Sequence, residues 1–200
     1  METIQIVGLA SIALLVLLNG FFVAAEYALV TVRWTRIEEL VELRRLGALA
    51  AREAKEHLDS AIAAAQLGVT FASLGLGWLG EPSIAHLIEP AFQGAPGPFS
   101  VVVRHGVAVA IAFLFISYLH VVLGELAPKA IALQRAEDVA LWVAGPLLAF
   151  GRFFRPLTWS MKMSGRWVVR LLRLPPLPDS RLAHSIQELG MLSRRPRRPA

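Results

Sequence analysis

Three stretches of this chain carry no charged side chain, and each is long enough to cross a lipid bilayer. They are Thr3–Ala25, Ser60–Gly80 and His105–Gly124, of 23, 21 and 20 residues. A helix rises about 1.5 Å per residue, so roughly 20 residues cross the hydrocarbon core. A soluble fold does not offer an alternative home for them. With 200 residues, 56% of them hydrophobic and only 18% charged, the interior of a globular domain is too small to hide the apolar side chains. A cleaved signal peptide fits the first run poorly, because Glu2 is the only charge before it and no small-x-small site closes it.

Charges outside these runs set the expected orientation. Between the first and second runs, Arg33–Leu58 holds Arg33, Arg36, Arg44, Arg45, Arg52 and Lys55, whereas Glu81–Ser100 holds no Lys or Arg. Basic residues return after the third run. The positive-inside rule then predicts an N-terminus outside and a C-terminus in the cytoplasm of a multi-pass plasma-membrane protein. The net charge of +5 is accounted for by these flanks, so no nucleic-acid partner is expected. Cysteine is absent, which excludes disulfides and thiolate chemistry.

The expected fold is all-α and membrane-embedded, with spans at about 4–32, 60–80 and 103–125 in a domain covering 1–174. Arg33–Leu58 reads as one amphipathic helix on the membrane surface, with Leu40, Leu43, Leu46 and Leu49 at helical spacing. Asp59–Ser60 is placed to cap the second span. Glu81–Ser100 reads as a short helix and an irregular loop. Only 13 uncharged residues separate Asp138 from Arg152, and Pro146 interrupts them. That is too short for a fourth span and suits a cytoplasmic-side helical hairpin at about 134–155. A basic amphipathic juxtamembrane helix is expected at 156–174, followed by a linker and disordered tail at 175–200.

Polar groups inside apolar runs are costly and therefore candidates for function. Asn19 and Glu26 lie in or beside the first run, Gln66, Thr70 and Ser73 in the second, and His120 and Glu125 at the end of the third. In Gly124-Glu125-Leu126-Ala127-Pro128-Lys129, Pro128 has no N–H to offer the Gly124 carbonyl. A free carbonyl beside the Glu125 carboxylate would form a pair of hard oxygen donors suited to Mg²⁺. The competing reading is that Pro128 ends the helix and Glu125 pairs with Lys129. Glu26 is either a partner for a cation such as Lys129 or an interfacial acid. Thr70 and Ser73 share a face, as ligands or bonded back to their own turn. Gly68, Gly75, Gly77 and Gly80 suit close helix packing. His120 stands five residues before Glu125, and no HExxH pattern exists. No catalytic constellation or organic-cofactor motif is present, so no enzyme activity is expected.

The blocks Asn19–Val32, Gln66–Ser83 and His120–Lys129 resemble the transmembrane domain (DUF21) of the CNNM/CorC family, often labelled hemolysin-family or magnesium and cobalt efflux proteins. The resemblance extends from about Ile6 to Leu192. It implies a homodimer with three spanning helices, a cytoplasmic helical pair and a juxtamembrane belt. It also implies export of Mg²⁺, with Co²⁺ tolerated, coupled to Na⁺ entry. Glu125 matches the family's acidic ligand and Pro128 its helix-breaking proline. The implied cation ligands are Glu125, Gly124, Gly68, Thr70, Ser73 and Asn19, with Glu26 and His120 along the path. Val23 and Ala25 stand where relatives place serines, and Val69, Thr70 and Ser73 where they place asparagines. Thr70, Ser73, Asn19 or water would then compensate, since Mg²⁺ commonly keeps several waters. Relatives continue into cystathionine-β-synthase-type regulatory domains. This sequence turns instead into Arg194–Ala200 (RRPRRPA), which raises the competing reading of a non-transporting membrane anchor or an inactive fragment.

Overall fold

A computed structural model describes residues 2–88 and 101–172, and among them every regular element is helical. α1 (Glu2–Thr31) is the first long apolar helix. Two nine-residue helices follow, α2 (Trp34–Glu42) and α3 (Ala48–Glu56). α4 (Leu58–Ile88) is the second long helix. The third path is continuous but changes character, from α5 (Val101–Leu119) through a π-helical segment (His120–Leu126) into α6 (Ala127–Gln134). α7 (Ala136–Phe153) and α8 (Arg155–Leu171) complete the described chain. Among the described residues, three helical paths are long and apolar enough to cross a membrane: Ile6–Thr31, Leu58–Gly80 and Gly106–Gln134. The protein is an all-α, multi-pass membrane protein.

Several boundaries differ from the sequence expectation for physical reasons. The third apolar path runs past Pro128 to Gln134, because the π segment absorbs the proline without ending the helix. α4 continues unbroken to Ile88, where a separate short helix was expected, and Asp59 lies in its first turn, not at a cap before it. There the carboxylate complements the helix dipole. Arg33–Leu58 is not one helix. It folds back at a corner where Arg44 has φ 52° and Gly47 φ 83°. A side chain at Gly47 would put its Cβ 2.1 Å from the Leu141 carbonyl oxygen, so only glycine fits there. Pro146 does not break α7. It and Gly145 lie on the exposed side, and the turn of the hairpin falls at Arg135 instead, with α6 and α7 as its arms. Residues 89–100 and the expected tail at 175–200 lie outside the described residues.

The larger packed core joins α1, α2, α3, α4, α6 and α7 through small residues. Ala25 and Ala28 of α1, Ala61, Ala64 and Ala65 of α4 and Ala140 and Ala144 of α7 are all buried. Alanine lets backbones approach, which matters in a bilayer because lipid tails compete with larger side chains for contact. A second cluster (Ile12, Val16, Leu76, Ile84, Ala112 and Ile116) ties α1, α4 and α5 together nearer the other end.

α7 lies across these spans. Trp142 meets Phe21 and Phe150 meets Phe22, with ring centroids 6.0 Å and 4.8 Å apart. Its two ends are pinned to the α2–α3 pair, by Arg36 Nε donating to Glu137 at 2.9 Å and Arg152 donating to Glu53 at 2.9 Å. Glu39 first, and then Glu137, hold the Arg36 guanidinium above its usual pKa. Lys55 of α3 donates to the Leu29 and Val30 carbonyls at 2.7 Å and 3.2 Å, satisfying the open end of α1.

The chain divides into two compact units, residues 1–158 and 159–200. The described part of the second unit is the remainder of α8 and Leu172. Its Trp159, Met163, Trp167 and Leu171 are exposed, beside Arg166 and Arg170.

Candidate functional site

The site is built on the π segment. With one extra residue per turn, a π-helix loosens the usual bonding ladder, and such segments recur at functional sites. Here the cause lies in the sequence. Pro128 cannot donate to the Gly124 carbonyl, and the Ala127 N–H reaches back five residues to Val122. The carbonyl is nevertheless not free, contrary to the expectation drawn from Pro128. The Asn19 side-chain amide of α1 donates to it at 2.9 Å.

Asn19 is 2% exposed, so both ends of its amide require partners. A carbonyl only accepts, which fixes the NH₂ toward Gly124 and leaves Oδ1 for Ser73 of α4, whose hydroxyl donates at 3.3 Å. Ser73 Oγ also lies 3.3 Å from His120 Nε2. A hydroxyl has one hydrogen, already committed to Asn19, so the imidazole must donate at Nε2. The result is a directed chain across three helices: His120 to Ser73, Ser73 to Asn19, Asn19 to the Gly124 carbonyl.

Two glycines make room for it. A Cβ at Gly124 would stand 3.0 Å from His120 Cδ2 and 3.1 Å from Asn19 Nδ2. A Cβ at Gly20 would stand 2.9 Å from Pro128 Cγ, so Gly20 lets α1 close against the proline. Sequence reasoning does not single out Gly20. Its position directly after Asn19 is the available signal.

Asn19, Ser73, His120 and Gly124 thus come together. Other candidates do not join them. Thr70 is exposed and bonds back to the Gln66 carbonyl at 2.8 Å. Gly68 lies under Phe22, where a Cβ would fall 2.5 Å from the ring, so its role here is packing. Glu125 stands on the exposed side of the π segment, outside the buried chain. Lys129 places its ammonium over the Tyr27 ring, 4.4 Å from the centroid, and attracts Glu125 and Glu26 electrostatically without a salt-bridge contact among the described residues. Glu26 lies beside the Gln66 amide. Among the described residues no three His, Asp or Glu side chains converge as a metal cage. The donor set is a backbone carbonyl, an amide, a hydroxyl and an imidazole, with a carboxylate one residue away.

Fold and site together define a class, a polytopic helical membrane domain whose third span contains a π turn and is stitched to the other two by buried and half-buried polar side chains. The chain belongs to the family described as the cyclin M (CNNM) transmembrane N-terminal domain, which matches residues 9–198. It is 40% identical over 186 residues to UPF0053 protein YrkA of Bacillus subtilis, covering 93% of this chain and 42% of that relative. UPF0053 protein YhdT of the same organism is 42% identical over 185 residues, covering 92% and 40%. The Mycobacterium tuberculosis protein Rv1841c is 34% identical over 177 residues, covering 88% and 50%. This chain therefore spans half or less of the length of these relatives.

Proposed function

We propose that this domain forms a route for a divalent cation, Mg²⁺ with Co²⁺ tolerated, and exports it in exchange for Na⁺ as part of a homodimer. The observation that carries the reading is the Gly124 carbonyl, deprived of its i+4 donor by Pro128 and met by a side-chain amide from α1. A hydrogen bond from a neutral amide is exchangeable for a cation in a way that a helix-internal bond is not. If Asn19 turns its amide over, Oδ1 and the Gly124 carbonyl present two hard oxygens to the same point, and Ser73 adds a third. Mg²⁺ gives up its waters reluctantly, so a site with few protein oxygens suits it.

Glu125 supplies charge. An ionised carboxylate facing hydrocarbon is expensive, and the third apolar path is the least covered, with 17% of its apolar window buried. A second copy of the chain seated on that face would give Glu125 an enclosed polar setting. The orientation proposed from the basic flanks puts the α2–α3 pair on the cytoplasmic side of the membrane. Single cysteines introduced at 89–100, which the cysteine-free chain allows, should then react with an impermeant reagent applied outside intact cells.

The functional test is Mg²⁺ efflux from loaded proteoliposomes under an inward Na⁺ gradient. Loss of a hydrogen bond to a charged group corresponds to about tenfold or more in rate, and Glu125→Ala and Asn19→Ala should each show it. Equal rates for all three proteins would overturn the reading. Two observations favour a second reading, a membrane anchor without transport: the Gly124 carbonyl accepts a hydrogen bond from Asn19, and no acidic cage is assembled among the described residues. Under that reading Mg²⁺ leaves the thermal unfolding temperature of the purified domain unchanged.

A further inference from the structure

The α2–α3 corner carries a combination that neither the packing nor the proposed cation route uses. Leu46 is 94% exposed, and Leu43 and Leu49 on either side are 63% and 66% exposed. Arg44 and Arg45 stand exposed between them, and the segment lines one shallow groove with Val41. This is not a frayed loop. Gly47 seats the corner on the Leu141 carbonyl, and Arg44 and Arg45 donate their backbone N–H groups to Val41 and Leu40 at 3.0 Å.

The level of the corner follows from its neighbours. Leu141 adjoins Trp142, which stacks edge-on against Phe21. Phe21 is ten residues before the end of α1 at Thr31, about 15 Å of helix inside it. The α2–α3 pair starts and ends beside the membrane boundary, since Lys55 bonds the last carbonyls of α1. Its corner thus reaches back to the level of an apolar span instead of projecting into solvent. Leucines at that level meet acyl chains, and the two arginines, on long stems, reach headgroup oxygens.

We propose that this corner is an anionic-lipid site: Leu43, Leu46 and Leu49 wedge into the bilayer interface while Arg44 and Arg45 bind the phosphate of an acidic phospholipid such as phosphatidylglycerol. Charge complementarity selects the occupant. Two guanidiniums flanked by leucines would repel a second identical corner, and a neutral lipid would leave them without a counter-charge.

The test uses the full chain reconstituted in vesicles of phosphatidylcholine, with or without phosphatidylglycerol. Leu46→Cys, carrying an environment-sensitive fluorophore, should be quenched by lipids spin-labelled near the headgroup and shielded from aqueous iodide. Phosphatidylglycerol should deepen that quenching. An arginine near an anionic surface contributes about fivefold in partitioning, so Arg44→Gln/Arg45→Gln should weaken the phosphatidylglycerol dependence by about 25-fold. Iodide quenching without lipid quenching would overturn the proposal, as would shielding from both quenchers, which signals a protein partner. Quenching indifferent to phosphatidylglycerol or to the arginines would also overturn it. A Leu18→Cys control, in the middle of α1, reports that the protein is inserted.

Discussion

Pro128 and Pro146 both sit inside helical paths of this protein, and they have opposite consequences. Pro146 lies on the exposed side of α7, and the carbonyl it leaves without a partner is that of Trp142, a residue 72% exposed. The helix continues, and among the described residues no side chain from another helix is seen bonding to that carbonyl. Pro128 faces α1 across Gly20, and the carbonyl it releases belongs to a buried glycine. There the path takes on a π turn, and Asn19 crosses from α1 to meet the oxygen. A proline removes one hydrogen bond in either place. Its structural effect depends on whether another helix brings a donor to the released carbonyl, as α1 does at Gly124.

The largest test of that contrast is Asn19→Leu, which matches the amide in size and removes its donor. It should lower stability by about 1–3 kcal/mol, the cost of an orphaned buried carbonyl, measured by thermal unfolding in detergent. Pro128→Ala comes next. Restoring an N–H at 128 gives the Gly124 carbonyl a helical partner, so stability should change by less than about 1 kcal/mol while the proposed transport falls by about fivefold. Combining the two sharpens the contrast. On the Pro128→Ala background, Asn19→Leu should cost about 1 kcal/mol less than alone, and strict additivity would show that amide and proline are independent.

Pro146→Ala should do the reverse, raising stability by about 1 kcal/mol, below the roughly 3 kcal/mol penalty of proline in an isolated helix. Transport should not change. The smallest effect concerns Lys55. Burial lowers its pKa, so the folded chain releases that proton before the unfolded chain does. Between the lowered value and the ordinary lysine range the unfolded state binds more protons, so stability rises as pH rises through that window. Wild type should show a slight alkaline gain in unfolding temperature that Lys55→Met lacks.

The sequence makes the three spans legible because lipid imposes a simple rule: long runs without charge must cross or be buried. It also marks Asn19, Ser73 and His120, as polar residues inside such runs. Their meeting is not legible, because it depends on the lateral packing of α1, α4 and the third path. Helical spacing fails at Glu125 for a different reason. A π turn shifts the register of everything after it, so the face of residue 125 cannot be deduced from a period of 3.6. The corner at Arg44–Gly47 is hidden because leucine spacing continues across it, and only the contact of Gly47 with Leu141 reveals why the chain folds back there.

The bracing of α7 also gives that helix a direction. Its acidic start holds an arginine of α2, and its basic end holds a glutamate of α3. Exposed pairs of this kind add little strength, and the buried alanines, valine and leucine of α7 supply the adhesion. Turned end for end, the same greasy face would still stick, but glutamate would confront glutamate and arginine would confront arginine. The charges act like the notch on a key blank: they do not hold the part in place, but they let it enter only one way round.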